Sequence, residues 1–332
     1  MTAALRPMNL GEILDRTFQV YRSKFLVFAG IAALPALAMF GIHLAEVRWL
    51  HGAWTIHLSH QGVVLWNLFV YVGLYHVASF LGLLIFPAMV HLASTASLGE
   101  GSSIPKALVF LVARWCTYVW VAALKFLVVV VIPEILFLAL AFGIALIAVL
   151  AGLFGNGREL GSASVLLIVG LPLMAGGVLF LWLGSCFSLV VPVCALEGAG
   201  GFTAFRRSWT LSKGSRARII FSWSMIAVLT WLLMLGVELA CRWAFPYLCR
   251  THFLGASARD FYSPAVYLLF AAVSTLIGPV YPIAVTLFYY DQRIRHEGYD
   301  IERMMEEAGM AAPSTPPGGD GLIVPVEGDI QP

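Results

Sequence analysis

Five stretches of this chain, residues 26–45, 49–99, 160–196, 219–237 and 261–290, contain no Asp, Glu, Lys or Arg, and a sixth, 126–157, contains only Glu134. Crossing a hydrocarbon core of about 30 Å takes about 20 apolar residues in a helix. Lipid offers no partners to open backbone, so such stretches cross as helices. The six stretches predict six transmembrane helices near 26–46, 64–93, 120–154, 164–195, 218–240 and 264–290. Hydrophobic residues at 60% against 11% charged exclude an ordinary soluble domain. The fold class is therefore all-α, a polytopic membrane bundle. It divides into a cytoplasmic amphipathic helix (1–25), a six-helix transmembrane domain (26–298) and a cytoplasmic tail (299–332).

Residues 104–154 form too long a segment for one crossing, at about 75 Å if wholly helical. Either part lies outside the bilayer, here placed on the cytoplasmic side, or the helix breaks at Pro133. Ala36-Leu37-Ala38 formally fits a signal-peptide cleavage site. The residues before it are too long, too acidic at Glu12 and Asp15 and too regularly patterned for an n-region, so Met1 to Phe25 is expected in the mature protein.

The basic residues set the orientation. One side carries Arg6, Arg16, Arg22, Lys24, Lys106, Arg114, Arg206, Arg207, Lys213, Arg216, Arg218, Arg293, Arg295 and Arg303, and the other Arg48, Arg158, Arg242, Arg250 and Arg259. Both termini are expected in the cytoplasm of a cell with this protein in its inner, cytoplasmic membrane. A net charge of +2 gives no reason to expect nucleic acid. The expected partners are membrane lipids, with anionic headgroups attracted at about 1 kcal/mol per basic residue, and protein partners not identified by sequence.

Leu10, Ile13, Leu14, Thr17, Phe18, Tyr21 and Phe25 recur at helical spacing, with Glu12, Asp15, Arg16, Gln19 and Arg22 elsewhere. This reads as a helix whose apolar face lies on the membrane, N-capped by Asn9 with Glu12 completing a capping box. Similar lead-ins precede the third span (104–115) and the fifth (201–219), and Arg16, Phe18 and Arg22 align with Arg207, Trp209 and Lys213. A threefold repeat of lead-in helix and transmembrane hairpin is one reading. Three unrelated amphipathic connectors are the other.

Three segments then resemble one family. "RPMNLGEILDRTFQVYRSKF", "VVPVCALEGAGGFTAFRRSWTLSKG" at 190–214 and "YYDQRIRHEGYDIERM" at 289–304 are similar, in that order, to the signature segments of the bacterial glycerophosphoryl diester phosphodiesterase membrane-domain family and the YciC-type membrane proteins. The matching positions are Gly11, Glu12, Asp15, Arg16, Tyr21 and Arg22; Pro192, Glu197, Arg206, Arg207, Ser208 and Trp209; and Tyr290, Asp291, Arg293, Arg295, Glu297 and Gly298. The resemblance implies no catalytic role for any of them. The family's name comes from members fused to a soluble phosphodiesterase barrel, and residues 309–332, rich in Pro and Gly, are too few for a barrel of roughly 250 residues. They are expected to be disordered.

Other candidates are sparse. His51, His57 and His60 have no carboxylate or cysteine in their loop to complete a metal site, and Trp49, Trp54 and Trp66 suit an aromatic interfacial belt. Cys241 and Cys249 could pair on an oxidising side, although no CxxC occurs. Ionisable groups inside spans are the default functional candidates. Lys125 is expected to snorkel to the cytoplasmic edge, and Glu238 to pair with Arg242. Glu134, beside Pro133, either lines a proton or substrate pathway or is hydrogen-bonded to a neighbouring helix. At the cytoplasmic ends, Asp291 with Arg295 and Arg293 with Glu297 are i,i+4 pairs. Asp291 and Glu297 are expected to meet Arg206 and Arg207, clamping a charged collar.

No GxSxG, Walker A or HExxH pattern occurs, and no cofactor is implied. The expectation is a non-enzymatic membrane protein acting through lipids or partners in membrane homeostasis. A small-solute transporter or channel using Glu134 is the alternative, and an intramembrane lipid-processing enzyme the third.

Overall fold

The computed structural model describes residues 7–45, 60–99, 103–154, 162–250 and 258–299, with Gly101, Ile301 and Met305. All regular structure among them is helical. In chain order the elements are α1 (Leu10–Ser23), α2 (Phe25–Ala45), α3 (His60–Ser97), α4 (Ile104–Ala113), α5 (Trp115–Phe126), a π-turn (Leu127–Val131), α6 (Ile132–Phe154), α7 (Ser162–Cys186), α8 (Val190–Glu197), α9 (Gly201–Leu211), α10 (Arg216–Arg250), α11 (Ala258–Ile277) and α12 (Val280–Glu297).

Six segments are long and apolar enough to cross a membrane: Phe25–Ala45, Val72–Ser97, Trp115–Ile147, Val169–Glu197, Arg216–Phe245 and Pro264–Glu297. They agree with the six apolar stretches of the sequence, and the protein is a multi-pass membrane protein.

The long 104–154 segment breaks at Arg114, not at Pro133. Proline lacks an N–H, and its ring presses on the carbonyl four residues back. Here that carbonyl belongs to Val129, inside the π-turn, where the widened helix makes room and lets it continue. Gly176 of α7 approaches just beyond: a Cβ there would stand 3.2 Å from the Pro133 carbonyl oxygen and 3.2 Å from the Phe137 Cβ. The glycine-rich stretch 170–177 therefore brings α7 onto α6 at the proline.

All three lead-ins are helices, each separated from the following span by a short break. The capping box of α1 forms: Glu12 N–H donates to Asn9 Oδ1 at 2.8 Å and Asn9 N–H to Glu12 Oε2 at 2.9 Å. The buried face of α1, however, is Ile13, Thr17 and Val20, packed on α12 in the protein core, with Phe18 half exposed. The expected membrane-facing side of α1 is instead mostly its docking surface, because the ends of the spans present apolar surface that must be covered.

That core shows the internal repeat more clearly than the lead-ins do. Spans two, four and six each carry a proline at the start of a buried inner segment: Ile85-Phe86-Pro87-Ala88, Val190-Val191-Pro192-Val193 and Val280-Tyr281-Pro282-Ile283. These segments of α3, α8 and α12 pack on one another. Each lead-in packs on the inner segment of the preceding unit: α4 on α3, α9 on α8 and, closing the circle, α1 on α12. The outer halves form a ring of α2, α3, α5–α6, α7, α10 and α11, in which α11 returns to α2.

Candidate functional site

The packed end of the bundle is tied by a charged collar. Asp291, fully buried, accepts from the Met8 N–H at 2.8 Å, from Gln292 Nε2 at 3.0 Å and from Arg295 Nε at 3.0 Å, and pairs with Arg218 at 3.4 Å. Both arginines also donate to the Met8 carbonyl, at 2.9 and 2.8 Å. One carboxylate and two guanidinium groups thus hold both backbone polar groups of a single residue, Met8, ahead of α1, joining it to α10 and α12. Buried charge needs this degree of satisfaction.

A second cluster lies beside it. Arg207 pairs with Glu197 and, at 2.9 Å, with Glu297, which also holds Arg293 at 3.0 Å. Tyr289 Oη donates to Glu197 at 2.7 Å. Partial burial lowers the affinity of Arg207 for its proton, but the two carboxylates outweigh that and raise its pKa. Ser208 is buried and donates to the Cys186 carbonyl at 2.9 Å, satisfying the end of α7. Trp209 carries the Arg216 guanidinium 4.4 Å from its ring centre. Four motif positions, Glu197, Arg207, Arg293 and Glu297, therefore bind one another, while Ser208 and Trp209 engage residues outside the motif.

The expected collar is only partly the observed one. Both i,i+4 pairs form, and Glu297 meets Arg207. Asp291 does not meet Arg206: it takes Arg218, while Arg206 is exposed and lines a shallow surface cleft with Thr203, Thr210 and His296. Arg206 and Arg207 are adjacent on a helix and point about 100° apart, so one cluster claims only one of them. In the first motif segment, Glu12 serves the cap, and Tyr21 Oη donates to the Leu276 carbonyl at 2.5 Å near the end of α11. Burial pushes the Tyr21 phenol up. Asp15 and Arg22 are exposed, and Arg16 reaches Gln19 at 3.4 Å.

Glu134 finds a partner that sequence reasoning missed. His76 of α3 stands with Nε2 2.6 Å from Glu134 Oε2, and its Nδ1 lies 2.7 Å from the Val72 carbonyl. A carbonyl only accepts, so Nδ1 carries a hydrogen. Nε2 and the carboxyl then share one proton, as neutral imidazole with carboxylic acid or imidazolium with carboxylate, and the pair is electrically neutral either way. A histidine inside one apolar stretch and the single carboxylate of another were the available signal. The hydrogen bond to a neighbouring helix is thus the arrangement found.

Above the collar the ring encloses an open cavity of about 870 Å³, lined by α2, α3, α5, the π-turn, α7, α10, α11 and the start of α12. The lining runs from Met89, Tyr281 and Pro282 on the collar side to His43, Tyr75 and Tyr267 on the far side. Its surface is overwhelmingly apolar, and Glu134 and His76 do not line it. Lys125 does, with only 6% of its surface exposed and its Nζ 5.1 Å from the centre of the Phe86 ring. The expected snorkelling does not occur. Lys125 lies ten residues into the span that starts at Trp115, roughly 15 Å from that end at helical rise, beyond the reach of its stem.

The remaining candidates contribute no site. Among the described residues no group of His, Cys, Asp or Glu is placed to hold a metal ion. His51, His57 and the side chain of His60 lie outside the described residues. Cys241 carries a free thiol, and the side chain of Cys249, its suggested partner, lies outside the described residues. Glu238 and Arg242 are both exposed, and neither takes part in the ion pairs among the described residues. Two exposed partners gain little from pairing in this position. Comparison with protein-family models, with curated proteins and with solved structures returns no match.

Proposed function

We propose that this is a non-enzymatic membrane protein that binds lipid within its ring of helices and serves membrane homeostasis. The observation that carries the reading is the apolar cavity of about 870 Å³ above a packed, ion-paired end. That volume lies in the range of roughly 300–1,000 Å³ typical of ligand sites. Buried inner segments of α3, α8 and α12 lie beneath it, and the intramembrane carboxylate Glu134 stands apart from it, which favours a lipid receptacle over a solute pathway. The family resemblance and the basic residues around the collar extend the proposal: a bacterial inner-membrane protein, both termini cytoplasmic, with the collar facing anionic headgroups or a protein partner.

The test uses the full chain purified in a neutral detergent, with bound lipid quantified by mass spectrometry after gel filtration. Near-stoichiometric acyl lipid is expected on the native protein. Gly82 lines the cavity, and a Cβ added there meets nothing within 4 Å, so Gly82→Phe should fill the space and expel the lipid. A native protein free of acyl lipid after purification, with no uptake on adding lipid back, would overturn the reading.

A further inference from the structure

Resting on the lipid-binding reading, we infer that the cavity takes a single-chain amphiphile with a monoanionic head, a long-chain carboxylate, whose charged end seats against Lys125. Three observations point to it. Lys125 is nearly fully buried yet lines the cavity, and it takes part in none of the ion pairs among the described residues. Glu134, the acidic residue of its own span, is engaged by His76 on the far side of the π-turn. The Phe86 ring face gives the ammonium partial compensation without neutralising it. A cation taken from water into apolar surroundings calls for an opposite charge close by.

The shape of the cavity selects the rest of the ligand. Lys125 and Phe86 sit toward the collar side, and apolar walls that include Met39, Leu83, Phe180 and Trp223 rise from them. Along α3, from Phe86 beside the lysine up to Leu74 is roughly 18 Å at helical rise. One leaflet's worth of acyl chain is about 15 Å, half of the hydrocarbon core, so a chain fits lengthwise with its head at the lysine. A single ammonium balances a single negative charge. A phosphate monoester carries about −1.5 to −2 at neutral pH and would leave charge uncompensated in the apolar interior.

The experiment measures binding of radiolabelled palmitate, hexadecanol and hexadecyl phosphate to the purified full chain in neutral detergent. Palmitate should bind about tenfold or more tightly than hexadecanol, the scale of a charge-assisted hydrogen bond. Lys125→Met should erase that preference by weakening palmitate far more than hexadecanol, and the hexadecanol binding that remains reports a folded protein. Lys125→Arg should retain the preference, and Gly82→Phe should remove both ligands. Equal binding of palmitate and hexadecanol to the native protein, or a preference that survives Lys125→Met, overturns the carboxylate inference and leaves the cavity as a lipid site. Tighter binding of hexadecyl phosphate overturns the choice of head. If neither palmitate nor hexadecanol binds, the underlying lipid-binding reading fails with it.

Discussion

Asp291 accepts a hydrogen bond from the Met8 amide across 283 residues of sequence, and this bond fastens the lead-in of the first helix to the last. Arg218 and Arg295 hold the same residue through its carbonyl. The circular arrangement of lead-ins on inner segments depends on this junction, since α1 and α12 are the only such pair that sequence order does not bring near each other. Asp291→Asn keeps the shape but removes the charge that compensates two arginines. Because those arginines are partly exposed, the expected loss is about 2–3 kcal/mol, below the full cost of a broken buried pair. It should appear as a lower unfolding temperature in detergent and as faster trypsin cleavage at Arg16. Unchanged melting and cleavage would show that the clamp contributes nothing.

The neighbouring cluster should behave differently. Arg207 and Glu297 are each about a third exposed, so water and salt screen them. Glu297→Gln is expected to cost no more than about 1 kcal/mol. The difference between native and variant melting should shrink further in 1 M salt, where the Debye length falls to about 3 Å. The Asp291→Asn deficit should persist under the same conditions. A salt-insensitive Glu297→Gln deficit would place that pair in a drier setting than its exposure indicates.

Gly176 is required by the close approach of α7 to α6. A side chain there starts 3.2 Å from the backbone oxygen of Pro133, which cannot swing away as a flexible side chain would. Gly176→Leu should therefore destabilise by about 1–3 kcal/mol through overpacking. Gly177→Leu, next to it with nothing within 4 Å of an added Cβ, is the control and should be near neutral. Equal effects at both positions would mean that the contact is not specific.

The sequence made the spans legible because burial in lipid forbids charge over about 20 residues, a long signal that single substitutions do not obscure. It made Asn9, Glu12 and the i,i+4 pairs of α12 legible because those bonds are local. Met8, Arg218 and Asp291 are far apart along the chain, and no local pattern announces their meeting. The depth of Lys125 is not legible locally, because it depends on where α5 begins, and the break at Arg114 sets that start. The prolines at 87, 192 and 282 were readable as a repeat. The structure repeats at these buried inner segments, where apolar packing is the shared requirement, while the charges of the lead-ins differ from one unit to the next.

His76 and Glu134 join α3 to α6, and the neutrality of the pair explains how two ionisable groups lie within apolar spans. Neither group is satisfied alone: removing the carboxyl leaves Nε2 without its partner, and removing the imidazole leaves the carboxyl without its own. His76→Phe and Glu134→Leu should each destabilise by about 1–3 kcal/mol. Combined, they should cost less than their sum, with a coupling of about 1–2 kcal/mol, because the second change removes a group already orphaned. A double-mutant cycle on unfolding in detergent checks this. Since neither residue lines the cavity, palmitate binding should be unchanged in the double variant. Additive losses would mean that the two side chains act independently, and lost palmitate binding would connect them to the lipid site after all.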